Sequence, residues 1–226
     1  MIWFIIATLV AFFIKGLCGF ANTLIFNGIL SYTANNINIS PLEVVLGYPS
    51  NIILVWKERK SLNWKIWLPL TALVVAGSIP GIFLLKHTDA GLLKVIFGIA
   101  VIVIGVEMLF REMKSNRESS NRKPGGSKLV LVLIGIISGL LCGLYGVGAL
   151  LAAYVSRVAE NSHEFKANIC VVFVVENTIR IILYVATGIL TLSVLKQVVI
   201  LIPFMLAAVF LGMKSSSVLN EKIIKK

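Results

Sequence analysis

Three charged side chains stand inside otherwise apolar stretches of this 226-residue chain: Lys15, Glu176 and Arg180. An isolated charge at the centre of a bilayer costs about 2.5–3.5 kcal/mol or more, so such groups are expected to pair and to face the protein interior. Glu176 and Arg180 are spaced i, i+4 in the order that favours an ion pair on one helical face. They read either as a proton carrier beside an anion contact or as a structural ion pair. Lys15 either holds an anion electrostatically or snorkels along apolar surface to the interface. Each of the first two breaks in apolar periodicity is Gly-rich. KGLCGFANTLIFNG (15–28) and SGLLCGLYGVGALL (138–151) share a Cys-Gly-apolar core, Cys18-Gly19-Phe20 and Cys142-Gly143-Leu144, about 124 residues apart. Backbone broken at membrane depth survives only where protein or a water-filled cavity satisfies it. Paired interruptions at matching positions in two halves point to a transporter's binding site.

The chemistry of such breaks suits anions. The N-terminus of a half-helix presents unpaired N–H groups and a positive dipole end, and glycine lets a ligand oxygen approach the backbone closely. The stretch from Cys142 through Gly143, Gly146 and Gly148 is therefore expected to form an anion cradle, with Tyr145 as a hydroxyl donor. Gly16, Gly19 and Asn22 of the first break would face it. The competing reading is a pair of bends that serve tight packing alone. Asn51 and Asn177, at equivalent places in the following helices, either satisfy freed backbone or touch substrate.

Composition sets the frame that positions these residues. Hydrophobic residues make up 58% of the chain, charged residues 14%, and the mean hydropathy is +0.95, so several runs reach the roughly 20 residues that cross a bilayer. The expected class is an all-α polytopic membrane protein. The apolar first 14 residues lack a basic start and a small-residue cleavage site, and are expected to belong to the mature protein. Of the 21 Lys and Arg, 14 fall within 57–65, 111–128 and 214–226. That clustering fits basic cytoplasmic loops, not an aromatic-interleaved nucleic-acid surface; no nucleic-acid partner is expected. Three cysteines (Cys18, Cys142, Cys170) in apolar context form no disulfide or metal pattern, and His87 and His163 read as isolated loop residues. No metal, cofactor or catalytic residue is expected, and no nucleotide-binding loop occurs.

The spans predicted are a broken segment over 2–33, interrupted near 15–23; helices at about 41–56, 64–85 and 91–110; a second broken segment over 128–156, interrupted near 142–148; and helices at about 164–186 and 195–213. The organisation is thus a first transmembrane repeat over 1–110, a cytoplasmic linker over 111–127, a second, shortened repeat over 128–213 and a basic cytoplasmic tail over 214–226. Each broken segment precedes a helix with a polar-Asn pair, Ser50-Asn51 and Glu176-Asn177, and then a helix with a small-xxx-small step, Gly77/Gly81 and Ala208/Gly212, which suits close packing. The loop after the second element is KERKSLNWK (57–65) in one half and TGILTLS (187–193) in the other. One is strongly basic and one uncharged, so equivalent loops are expected on opposite sides of the membrane, with the two repeats inverted. Glu107 is expected to reach cytoplasmic headgroups, and Trp3, Trp56, Trp64 and Trp67 to mark the interfaces.

The chain resembles the TauE/SafE family of sulfite exporters over nearly its whole length. The resemblance rests on Gly16, Gly19 and Asn22, on Pro49 and Asn51 with the basic loop after them, on GLLCGLYGVGALL (139–151), on Lys166-Ala167, and on Asn177. It implies a multi-pass plasma-membrane carrier of small anions, sulfite or organosulfur compounds, built from two inverted repeats. The chain departs from the family in the first break, where ANTLIFNG (21–28) replaces a richer glycine run. It also departs at NEKIIKK (220–226), where a final helix of the second repeat is expected and none follows. Two functions result: a secondary transporter working in the lipid bilayer, alone or as a homodimer, or a non-transporting or truncated subunit that needs a partner to supply the missing helix.

Overall fold

The computed structural model describes residues 1–32, 36–89, 128–145 and 148–218, with a few positions between 91 and 106. Eight helices are defined among them: α1 (Ile2–Cys18), α2 (Asn22–Leu30), α3 (Asn36–Glu58), α4 (Trp64–His87), α5 (Lys128–Tyr145), α6 (Ala149–Val158), α7 (Ser162–Ala186) and α8 (Leu192–Val218). A single 3-10 turn, Arg59–Ser61, follows α3. Segments of α3, α4, α7 and α8 are long and apolar enough to cross a bilayer: Asn38–Ser61, Trp64–Leu84, Ser162–Ala186 and Leu192–Ser216. The chain is a multi-pass, all-helical membrane protein. The expected helix over 91–110, Glu107, and the linker over 111–127 lie almost wholly outside the described residues. Within the expected tail, α8 continues through Lys214 to Val218, and 219–226 lie outside the described residues.

Both breaks are present and narrower than the sequence suggests. Lys15 and Gly16 lie within α1, which ends at Cys18; Gly19 (φ 87°) caps it and Ala21 (φ 72°) starts the next helix. Two left-handed residues within three positions turn the chain back on itself. Phe12 consequently meets Phe26 edge to face, with ring centroids 6.4 Å apart. At 17 residues, α1 is about 25 Å long, short of a full hydrocarbon core. In the second half, Cys142 and Gly143 lie inside α5, whose described residues run to Tyr145, and α6 starts at Ala149 after a non-helical Gly148. The expected interruption over 142–148 is corrected accordingly. The starts at Asn22 and Ala149 correspond about three residues beyond the Cys-Gly alignment.

The glycines inside the helices explain why. α1 packs along α8, α4 along α5, and α3 along α7. A methyl group on Gly16 would lie 2.5 Å from the Val209 carbonyl oxygen and 3.0 Å from the Cα of Gly212. One on Gly81 would lie 2.6 Å from the Leu140 carbonyl and 3.0 Å from the Cα of Gly143, and Gly77 meets Gly139 in the same way. Backbones touch backbones at these crossings, which is how membrane helices associate when lipid offers no hydrophobic driving force between them. Around them pack Ala7, Ala11, Phe12, Leu70, Val74, Leu201, Met205 and Val209, all fully buried. Trp3, Trp56 and Trp64 are exposed, and Trp67 packs against the core.

Gly81→Ala is expected to lower stability by about 1–3 kcal/mol because the new methyl meets backbone that cannot turn aside. Gly28→Ala, with nothing within 4 Å, should be neutral or stabilising by up to about 1 kcal/mol. Thermal unfolding of the two variants in detergent, followed by the fraction remaining monodisperse, checks the contrast.

Candidate functional site

Where the two breaks meet, the structure encloses a pocket. It is lined by Lys15 of α1, Phe20 to Leu24 across the first break, Glu43 and Asn51 of α3, Gly148 of the second break, and Phe173 and Asn177 of α7. The cavity among these groups is small, about 20 Å3, room for about one water molecule. Five residues singled out from sequence thus come together here: Lys15, Asn22, Asn51, Gly148 and Asn177.

Each arrives for a local reason. The start of α2 at Asn22 follows a left-handed Ala21 with no side-chain cap, so its first-turn N–H groups have no partner within the helix. Gly148 precedes α6, and a side chain there would collide with the Phe173 ring that lies on it. In α3, Gly47 clears the way for three polar groups: a methyl at that position would lie 3.3 Å from Glu43 Oε1, 3.6 Å from Asn177 Nδ2 and 3.7 Å from Asn22 Nδ2. Pro49 further loosens this helix, since it has no N–H to give to the carbonyl one turn earlier. Buried Asn51 points an amide oxygen that has no hydrogen-bond partner among the described residues.

The hub of the site is Glu43, which the sequence reading did not single out. Its Oε1 accepts from Asn22 Nδ2 at 2.5 Å and from the Thr23 hydroxyl at 2.7 Å, tying the first turn of α2 to α3. Its Oε2 faces Arg180 Nη1 at 3.9 Å. Arg180 Nε in turn lies 3.6 Å from Glu176 Oε1, and Arg180 Nη2 donates to the Tyr184 hydroxyl at 3.0 Å. The expected Glu176–Arg180 pair therefore exists, but as part of a relay of two carboxylates around one guanidinium. Arg180 Nε and Glu176 Oε1 make no hydrogen bond among the described residues. Glu43, Glu176, Arg180 and Lys15 are all at most 2% exposed. Lys15 does not snorkel: its ammonium stays inside, 5.7 Å from the Phe12 ring centroid, at the pocket wall.

Other expected site residues lie elsewhere. Gly16 and Gly143 are at the helix crossings with Gly212 and Gly81, not at the pocket wall. Gly19 packs on Lys166, and its carbonyl accepts from the Cys170 thiol at 3.3 Å. Cys142 is buried within α5. Gly146 and the Tyr145 side chain are outside the described residues. His163 is not isolated: its Nδ1 lies 2.7 Å from Glu58 Oε2, and Lys166 Nζ donates to Ser216 Oγ nearby.

Because Glu43 is the acceptor that anchors the first break, Glu43→Ala should leave the buried Asn22 and Thr23 donors without it and the Arg180 guanidinium with one carboxylate fewer. A loss of about 3–5 kcal/mol is expected, against a smaller one for Glu43→Gln, which keeps an acceptor. Chemical denaturation in detergent distinguishes the two.

No curated protein and no solved structure matches the chain at a significant level. Residues 4–226 match the family described as sulfite exporter TauE/SafE. Helical architecture, paired breaks and full-length match agree: the chain belongs to the TauE/SafE sulfite exporter family.

Proposed function

We propose that the chain is a secondary transporter of small anions, sulfite or organosulfur anions, with the pocket between the two breaks as its substrate site. The observation that carries this reading is the convergence on one pocket of Lys15, the uncapped first turn of α2, and Asn51 and Asn177. Uncapped N–H groups and a positive dipole end attract an anion without a dedicated charge, and Lys15 adds one. The amides and the Thr23 hydroxyl offer further donors to substrate oxygens.

Alternating access would arise from two inverted repeats, 1–110 and 128–213, joined by a linker over 111–127. In support, α1 packs on α8 as α5 packs on α4, so each half lays its first helix against the last defined helix of the other. The half-helix pairs α1–α2 and α5–α6 are the elements that would dip in and return. The clustering of basic residues in 57–65, 111–128 and 214–226 supports a linker and tail on the cytoplasmic side of the plasma membrane.

Labelled sulfite flux in liposomes tests the site. Lys15→Met keeps the apolar stem and removes the charge; flux should fall about tenfold or more, as expected for loss of a charge-assisted contact of about 1.5–3 kcal/mol. Asn51→Leu should also reduce flux. Lys196→Met, on the exposed face of α8, should leave it unchanged. Equal flux in the Lys15 and Lys196 variants would remove Lys15 from the site.

A further inference from the structure

We propose that Glu43 couples anion transport to a proton: the carboxylate occupies the donors of the substrate site when the site is empty, and yields them on taking a proton. This rests on the transport reading above and adds the coupling ion and its acceptor.

Two observations point to it. Glu43 Oε1 accepts from Asn22 and Thr23, the side chains that open α2 at the pocket wall. An ionised carboxylate is a resident anion there, so a substrate anion must compete with it for the same donors. Charge then decides how the competition resolves. Among the described residues, the charged groups at most 2% exposed are two cations, Lys15 and Arg180, and two carboxylates, Glu43 and Glu176. The empty site is balanced. A singly charged anion entering alone would leave one uncompensated charge at membrane depth, which is costly. One proton on Glu43 restores the balance.

The titratable groups facing Glu43 are Lys15 from α1, Cys142 from α5, and Glu176 and Arg180 from α7, with Tyr184 beyond Arg180. Glu43 alone among the carboxylates named here both lines the pocket and holds substrate donors. Its Oε1 is the oxygen that the proton must reach: protonated there, it no longer competes as an anion for Asn22 and Thr23, while Oε2 stays facing Arg180 at 3.9 Å. Once protonated, the carboxyl becomes a donor as well as an acceptor, so the substrate gains an O–H contact as it gains Asn22 and Thr23. A metal cation is a poor alternative, since Lys15 and the N-terminus of α2 both repel it. In the cycle, a proton from one aqueous side adds to Glu43 as the anion enters. On the other side the proton leaves with the anion, and the carboxylate retakes Asn22 and Thr23. For a singly charged anion, loaded and empty carriers then have the same charge, and the symport is electroneutral.

The experiment uses the purified full chain in liposomes with labelled sulfite outside or inside, at a pH acid enough to hold it as singly charged bisulfite, and a pH dye entrapped. Wild-type protein is expected to accumulate sulfite when a pH gradient is imposed, and to show a flux indifferent to an imposed potential. In Glu43→Gln the protons moved per sulfite should fall by about one, and gradient-driven accumulation should fall at least about tenfold. Accumulation by Glu43→Gln equal to wild type overturns the proposal. So does wild-type flux that follows the potential, a readout that holds even where the variant fails to assemble. Wild-type protein that moves no labelled sulfite under any gradient overturns the transport reading itself, and the coupling falls with it. Facilitated wild-type sulfite flux without any response to the pH gradient overturns the coupling alone.

Discussion

Four charged groups buried in a membrane protein have to satisfy one another, and here that requirement organises the centre of the molecule. Glu43 takes hydrogen bonds from Asn22 and Thr23 and faces Arg180, which also faces Glu176 and binds Tyr184. Removing any one partner leaves an uncompensated charge where neither lipid nor bulk water can solvate it. The same contacts fix α2 against α3 and α3 against α7, so the short half-helix keeps its uncapped end at the pocket. Structure and site therefore share one set of bonds.

Glycine serves three separate purposes along the chain, and composition alone does not separate them. Gly19 supplies a left-handed backbone that ends α1. Gly148 makes room for the Phe173 ring at the second break. Gly16, Gly77, Gly81, Gly139, Gly143 and Gly212 sit within helices and let backbones touch at the crossings. All three uses yield a Gly-rich apolar stretch. In the second half a packing glycine, Gly143, happens to share a Cys-Gly dipeptide with the capping glycine of the first.

Much of the fold was legible in the sequence because hydropathy and length constrain membrane helices strongly. Both breaks, the four long helices and the pairing of Glu176 with Arg180 could be read from residue type and spacing. Lys15, Asn22, Asn51, Gly148 and Asn177 could be singled out for the same reason: polar or backbone-freeing residues in apolar context. Glu43 escaped because Pro41 reads as a helix start, which places the carboxylate at a span end. The helix begins earlier, at Asn36, with Pro41 tolerated inside it, and Glu43 is carried into the interior. An acidic residue within two positions of an apolar run was the signal available. The register between halves was obscured by the crossing glycines, whose partners are distant in sequence.

The crossing of α1 with α8 has a consequence for how the protein is made. The earliest of the defined helices lies against the latest, through Gly16 and Gly212. Until α8 has been synthesised and inserted, the face of α1 that carries Gly16 has no protein to rest on, and Lys15 beside it depends on the later arrival of α3 and α7 for its surroundings. Contacts of such sequence separation form late. Helix α1 therefore waits in the bilayer, tended by lipid or by the insertion machinery, while the helices between it and α8 are added.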